Sequence, residues 1–382
     1  MRRLGTALLA AAAAAALLVP SAPAVQAADQ AATTFPTLSV SEQVSALDIP
    51  WDVQVLPGGR LLIGERSTKR LIVWQGGTKR VLRFHTDIWA AGETGLMGLA
   101  VDPKFATNRR VYTCQGGTRA DGSHDVRVLV WRMNYAYTAV GKIRTLVSGF
   151  PATSGRHGGC RLLITSHGSL MVGTGDAATG TNPQSLSSFG GKTLRLNRAT
   201  GAPYPLNKWI HSSNPVTRYL YTFGHRNVQG LAQRGDGTLW SVEQGTYRDD
   251  EVNKLVEGGN YGYNPVPGYN ESVPMTDDAL PGTQIHAKWS SGDPTLATSG
   301  GTWVHGAQWG EYDNTLAVAA LKAHRLIFMK FDGNGKLLWT RSPDELQQNG
   351  RLRSVTRAPN GDLLVTTSNG GGGDFVLRVS PS

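Results

Sequence analysis

The chain has 382 residues, enough for two average domains or one large all-β domain. Its 47 glycines, 10 Trp and 11 Tyr against only 17% charged residues favour short strands and turns over helices. A formal net charge of +10 would suit nucleic acid, but no Lys/Arg block or nucleic-acid motif occurs, so no nucleic-acid partner is expected and a small anionic ligand is the better match. The two cysteines exclude a disulfide framework, and metal binding by two thiolates alone would be unusual.

At the N-terminus Arg2 and Arg3 precede an apolar run from Leu8 to Val19, and Val25-Gln26-Ala27 offers small residues for cleavage. Residues 1–27 therefore read as a secretory signal peptide, and 28–46 as an N-terminal extension. The run is too short and too rich in alanine to anchor well in a bilayer, and no later stretch is apolar enough to span one. Export places the mature chain in an oxidising compartment, which makes a Cys114–Cys160 disulfide the expected state.

From Ile49 onward a pattern recurs: an apolar strand, a Gly/Asp/Asn turn, a second strand, and often a third with alternating apolar residues. The copies are IPWDVQVLPGGRLLIGERSTKRLIVW (Ile49 to Trp74), the stretch from Gly95 to Met133, that from His157 to Asn197, that from Tyr221 to Tyr269, that from Thr298 to Asp332, and that from Arg351 to Ser380. Hairpin signals at Pro57-Gly58-Gly59, His167-Gly168, Gly235-Asp236-Gly237 and Asn360-Gly361-Asp362 each separate period-two apolar runs. Imperfect repeats of this length predict a β-propeller of six four-stranded antiparallel sheets over residues 47–382. Asn264 to Pro281 and Gly201 to Pro215 read as long loops over one face. A pair of separate β-sandwiches would need a linker, and none is visible.

The stretch Tyr221 to Tyr269 is chemically the densest. His225, Arg226, Asn227 and Gln229 lie between two glycines, and Glu243-Gln244-Gly245 is followed by Asp249-Asp250-Glu251. Three successive carboxylates repel unless a hard cation collects them, so oxygen ligation of Ca²⁺ is expected, although a lone run of this kind would be a solvated loop. In a propeller the repeat starts gather at the mouth of the central channel. Those positions carry Glu93, His157, Arg226 with Asn227, Thr295 with Ser299, Lys322, and Arg351 with Arg353. Singly, each cation is a solvent-facing strand residue; converging, they form a receptor for a polyanion. His157, among the glycines of SGRHGGCR, can act as a general base, with Asp176 of GTGDAATG holding its tautomer. His225 reads as a structural neighbour of Arg226.

Together these motifs resemble the soluble pyrroloquinoline-quinone (PQQ) dependent sugar dehydrogenases, the glucose/sorbosone dehydrogenase family, from about Leu47 to the C-terminus. The landmarks are IPWDVQVLPGGRLLIGER, GLMGLAVDPKF, RHGGCRL, GHRNVQGL, EQGTYRDDEVNKLVEGGNYGY, LKAHRL and GRLRSV, specific in this order and spacing. The resemblance implies a six-bladed propeller with PQQ over the channel, in which a His base abstracts the anomeric hydroxyl proton of an aldose, C1 gives hydride to the quinone, and a lactone leaves. Carried over, His157 is the base, Asp176 its orienter, Glu93 a nearby polar group, and Arg226 stabilises the reduced quinone. The PQQ contacts become Arg226, Asn227, Thr295, Lys322, Arg351 and Arg353. One Ca²⁺ is implied at the carbonyls of Gly245 and Thr246, and a second, structural Ca²⁺ at Glu251, Tyr261, Pro267 and Glu271. An external electron acceptor is implied as well. The chain departs from the family pattern at Thr246 (usually Pro), Ser354 (Asp), Gly155 (Lys in the glucose enzyme), Cys160 (Gly) and Ser368 (Asp).

Two other readings compete. A non-catalytic calcium-binding propeller that binds glycan or protein would take up calcium but no quinone. A calcium-dependent propeller lactonase would need carboxylates, rather than cations, around the channel.

Overall fold

Period-two apolar runs flanking the Gly turns pair as antiparallel hairpins. Pro50–Leu56 pairs with Arg60–Glu65, Arg161–Ile164 with Ser169–Gly173, Val228–Gln233 with Leu239–Glu243, and Leu352–Arg357 with Leu363–Thr367. The computed structural model describes residues 34–382 together with Met1, so the expected signal peptide lies outside the described residues apart from Met1.

The strands form six sheets in a ring, a six-bladed β-propeller. Five are four-stranded, and the second gains a short parallel edge strand, Arg83–Phe84. The inner strands of the blades, in order, are Pro50–Leu56, Leu96–Val101, Arg161–Ile164, Val228–Gln233, Thr298–Trp303 and Leu352–Arg357. Each packs on the next, and the sixth packs back on the first. The core lies between successive blades. The largest cluster, between the second and third, includes Met97, Tyr112, Val128, Leu170 and the two cysteines. Cys114 and Cys160 form a disulfide, Sγ–Sγ 2.07 Å, which joins a strand of the second blade to the residue preceding the inner strand of the third.

The ring begins earlier than residue 47. Leu38–Leu47 pairs with Asp374–Pro381 as the outermost strand of the sixth blade, so residues 38–46 belong to the propeller and not to an extension. The segment LSVSEQVSAL buries Leu38, Val44 and Leu47, but its pairing is interrupted by two bulges and no turn joins it to its partner. No local hairpin signal could therefore announce it.

Asp374, fully buried, latches this closure. Its carboxylate accepts the Ile49 N–H of the first blade at 2.8 Å, the Asn369 N–H at 2.6 Å, the Gly370 N–H at 2.8 Å and the Thr367 hydroxyl at 2.7 Å. Removing it leaves four donors without their acceptor, each costing about 1–3 kcal/mol if unsatisfied. Asp374→Ala is expected to lower unfolding stability by at least about 3 kcal/mol, measured from the urea midpoint at constant slope; a loss below about 1 kcal/mol would show that the latch does not hold the ring.

Candidate active site

The inner strands all enter the channel from one end, so the loops before them converge there. His157 lies on the loop entering the third blade and is buried, with φ +50°. Its Nδ1 is 2.8 Å from Asp176 Oδ1, and its backbone N–H donates to Glu93 Oε2 at 3.2 Å. Asp176, fully buried, also accepts the Ala178 N–H at 2.8 Å and the Tyr269 hydroxyl, on Oδ2, at 2.8 Å. A carboxylate facing Nδ1 requires the proton on that nitrogen and leaves the lone pair on Nε2. Gly175 makes this approach possible: a Cβ there would stand 1.8 Å from the His157 carbonyl oxygen.

Asn227 ties the neighbouring loops together, its amide donating to Glu93 Oε2 at 3.2 Å while its Oδ1 accepts the Gly159 N–H at 3.3 Å. Arg226, also buried, donates to the Gln244 carbonyl at 3.1 Å and to Glu271 Oε1 at 2.6 Å, while its Nε has no partner among the described residues. Glu93, Arg156, His157, Arg226, Gln244, Gly245, Thr246, Tyr247, Glu271, Thr295 and Ala297 wall a cavity of about 350 Å³, a volume that suits a small organic ligand. A larger depression of about 1370 Å³ opens where the inner strands finish, lined by residues such as Pro57, His305 and Asn360. It too carries a histidine and cations, His305 with Arg357 and Arg378, but among the described residues no carboxylate is hydrogen-bonded to the His305 ring as Asp176 is to His157, so the chemistry is assigned to the smaller cavity.

Beside this cavity the cations crowd. Arg353 is buried, donating to Gln229 Oε1 at 3.2 Å and to Ser368 Oγ at 3.3 Å. Burial first, and then the charges of Arg66, Arg161 and Arg351, pull its guanidinium down to about 9, with Glu93 opposing. Arg66 is lowered by burial and by Arg351, again with Glu93 opposing. Arg161 lies 4.3 Å over the Trp51 ring and Arg353 lies 5.5 Å over it. Asp52 neutralises Arg161 at 2.9 Å, yet Arg161 Nη2 remains buried and unpartnered among the described residues. Positive charge is thus in excess here, which is the condition under which an anion binds.

The structure brings together His157, Asp176, Glu93, Arg226 and Asn227, and places Arg351 and Arg353 within electrostatic reach of Glu93 through Arg353 and Arg66. Thr295 lines the cavity, its hydroxyl turned onto the Asp250 carboxylate at 2.9 and 3.0 Å. Lys322 is exposed in the turn between Thr315–Ala320 and Arg325–Phe331; its backbone N–H reaches the Leu296 carbonyl at 3.0 Å, but its ammonium contacts no other site residue among the described residues. His225 is structural, held between the Thr222 hydroxyl and Glu243, each at 2.8 Å.

Among the oxygens expected to hold metal, Gly245 and Thr246 line the cavity, and the carbonyl of neither accepts a hydrogen bond among the described residues. The Gly245 N–H is held by Asp250 Oδ1 at 3.0 Å, and a Cβ at Gly245 would stand 2.1 Å from the Arg248 carbonyl. The second set has other hydrogen-bond and ion-pair partners at three of its four positions. Glu251 is buried on the fourth blade, its carboxyl raised well above the usual range by burial and then by Glu243, and it takes the Asn253 amide at 3.2 Å. The Tyr261 carbonyl accepts the Thr276 hydroxyl at 3.1 Å, and Pro267 is exposed. Glu271 pairs with two guanidinium groups, Arg226 and Arg156 at 2.6 and 3.1 Å.

Arg66, Arg161, Trp51, Gln244 and Tyr269 were not among the residues expected in the site. Arg66 and Arg161 sit within GER and GGCRL, where an isolated Arg has no signature. Tyr269 arrives by a long loop: Asn260 bridges to Phe223, Tyr261 stacks on His225 at 4.4 Å, and the Tyr263 N–H joins the Gly224 carbonyl at 2.9 Å. The departures also acquire places. Gly155 has φ +88° with Ala91 O only 2.0 Å from where a Cβ would be, so a lysine cannot stand there. Ser354 turns to the Thr366 hydroxyl at 3.1 Å.

Comparison with known proteins identifies the family. Residues 47–377 match the Glucose/Sorbosone dehydrogenase family. The aldose sugar dehydrogenase YliI of Escherichia coli (strain K12) is 28% identical over 360 residues, covering 90% of this chain and 93% of its own. The quinoprotein glucose dehydrogenase B of Acinetobacter calcoaceticus is 24% identical over 401 residues, covering 83% and 82% respectively. The PQQ-bound structure of the aldose sugar dehydrogenase from Streptomyces coelicolor superposes with a TM-score of 0.75 at 26% identity, over 91% of this chain and 100% of that one. With the six-bladed ring and the cavity holding His157 and Arg226 already described, this chain belongs to the glucose/sorbosone dehydrogenase family, among relatives that are sugar dehydrogenases of the quinoprotein type.

Proposed function

We propose that this protein is a secreted, PQQ- and Ca²⁺-dependent aldose dehydrogenase that oxidises the anomeric C1–OH of a sugar to a lactone and passes the electrons to an external acceptor. The observation that carries the reading is the buried His157–Asp176 pair beside a cavity walled by Arg226, with surplus guanidinium charge next to it. Export is supported by the basic and apolar residues at the start of the sequence and by the Cys114–Cys160 bridge. Among the described residues no helix is long and apolar enough to cross a membrane.

The donor set fits a tricarboxylate. Arg226, with an unpartnered Nε, would take one carboxylate or the quinone oxygen; Arg353, Arg351 and Arg66 would take others, and each gains an anion that relieves like-charge repulsion. The free carbonyls of Gly245 and Thr246 would hold Ca²⁺, whose remaining ligands among the six to eight oxygens it prefers must come from the bound anion and water. PQQ, when bound, supplies a quinone that accepts a hydride equivalent from C1. His157 performs the proton half of the oxidation: with Nδ1–H held by Asp176, Nε2 takes the hydroxyl proton as the C1–H bond breaks and the C1–O bond becomes a carbonyl. The Arg226 guanidinium beside the cavity stabilises negative charge as it develops.

The test is to add PQQ with and without Ca²⁺ to the protein, record the absorption spectrum, then add aldoses and follow reduction of an artificial acceptor. Uptake of quinone without reduction by any aldose overturns the enzyme reading, and calcium binding with no quinone uptake favours the glycan- or protein-binding propeller. His157→Ala is expected to cut turnover by roughly 10²–10⁴-fold while leaving the bound-PQQ spectrum in place; wild-type turnover in this variant would remove His157 as the base. Arg353→Met is expected to stabilise the apoprotein by about 1–3 kcal/mol, because a buried charge surrounded by like charges is replaced by an apolar side chain, and to weaken PQQ uptake at least about tenfold. Thermal melts with and without PQQ check both parts, and a destabilised apoprotein would contradict the crowding.

A further inference from the structure

Tyr269 closes the stretch from Tyr221 and was given no role there, yet it touches both members of the base pair. Its hydroxyl is 2.8 Å from Asp176 Oδ2 and 3.1 Å from His157 Nδ1, and its ring lies 5.9 Å from the imidazole. The Tyr263 hydroxyl stands behind it at 3.4 Å. A phenol keeps its proton at neutral pH, so beside the Asp176 carboxylate the Tyr269 hydroxyl acts as the donor. The loop that delivers it is anchored a second time, where Glu271 pairs with Arg226 and Arg156.

We propose that Tyr269 is a positioning residue: by donating to Asp176 Oδ2 it fixes the carboxylate so that Oδ1 holds His157 in the Nδ1–H tautomer with the Nε2 lone pair free. The inference rests on the reading of His157 as the base and adds a residue from the blade-four insertion to it. Asp176 has two oxygens and two roles. Oδ1 takes the His157 Nδ1–H and the Ala178 N–H, while among the described residues Oδ2 takes only the Tyr269 hydroxyl as a direct hydrogen bond. Without that hydroxyl, Oδ2 is a buried anionic oxygen lacking a donor, and the carboxylate can rotate away from the ring. The other charged groups here are Glu93, which takes the His157 backbone N–H, Arg226 and Arg156 in the cavity wall, and the buried Lys192, which is lowered to about 7 by burial with Asp176 opposing and donates to the Asn182, Pro183 and Gly190 carbonyls; among the described residues none of them hydrogen-bonds Asp176 Oδ2.

The experiment compares Tyr269→Phe, which keeps the ring and removes only the hydroxyl, with the wild-type chain. In the apoprotein, ¹⁵N spectra of the histidine side chains report the tautomer and titration of His157 without any cofactor. The wild type is expected to show Nδ1 protonated and Nε2 unprotonated at neutral pH, and the variant a mixture of tautomers. With PQQ and Ca²⁺ added, the variant should lose about 10–100-fold in kcat at unchanged KM, with PQQ uptake unaltered. Identical tautomer populations in the two apoproteins overturn the proposal. If wild type takes up PQQ but oxidises no aldose, the dehydrogenase reading fails while the spectra still decide what Tyr269 does to His157.

Discussion

Everything at the channel mouth depends on one pairing between strands from opposite ends of the chain. Leu38–Leu47 lies antiparallel to Asp374–Pro381, and Asp374 reaches on to the Ile49 N–H of the first blade. Only with that seam closed does Leu352–Arg357 pack against Pro50–Leu56, and only then do Arg353 and Arg161 meet above the same indole, Trp51. A propeller has no core at its axis, so residues there are positioned by the ring as a whole. The link from packing to function is therefore global here: a cation on the sixth blade and an indole on the first are neighbours because a circle closes.

Within the closed ring, the energetics of the site run against folding. Like charges gather where burial has already weakened hydration, and Asp52 and Glu93 offset only part of the excess. Such an arrangement is costly for an empty protein and favourable for one holding a polyanion. The aromatic shelf under the guanidinium groups makes part of the difference tolerable, since a cation over a ring face is attracted even without a counter-charge. The base lies on the third blade, whose entering segment is bonded covalently to the second blade at Cys160 and by hydrogen bonds to Asn227 of the fourth. Three blades thus set the placement of one imidazole.

The fold was legible because its signals are local. Alternating apolar runs around Gly turns announce hairpins, and their recurrence announces a ring; the repeat starts at 49, 95, 157, 298 and 351 lie within a few residues of inner strands. The strand at residues 38–46 was missed because its partner is the last strand of the chain, and pairing over that distance leaves no mark in either segment alone. His157, Asp176, Arg226 and Asn227 were readable because glycines concentrate where backbone must come close. Arg66 and Arg161 were not, since a lone Arg on a strand is ordinary until its neighbours are known. Tyr269 and Glu271 mark the other limit. A loop between the third and fourth strands of a blade has no periodicity to fix its path, and here a parallel bridge at Asn260 and a stacked Tyr261 guide it to the mouth. Glu271 consequently pairs with Arg226.

The seam that closes the ring also brings residues 37 and 382 within one hydrogen bond, Ser382 N–H to Thr37 O at 2.9 Å. A linker of a few residues would span that gap, and the polypeptide could then be opened afresh at a tight, exposed turn such as 121–123. In a circularly rearranged version, the outermost strand of the sixth blade would be contributed in sequence rather than from afar. The seam would move to another sheet, and the same architecture could be assembled along a different order of folding.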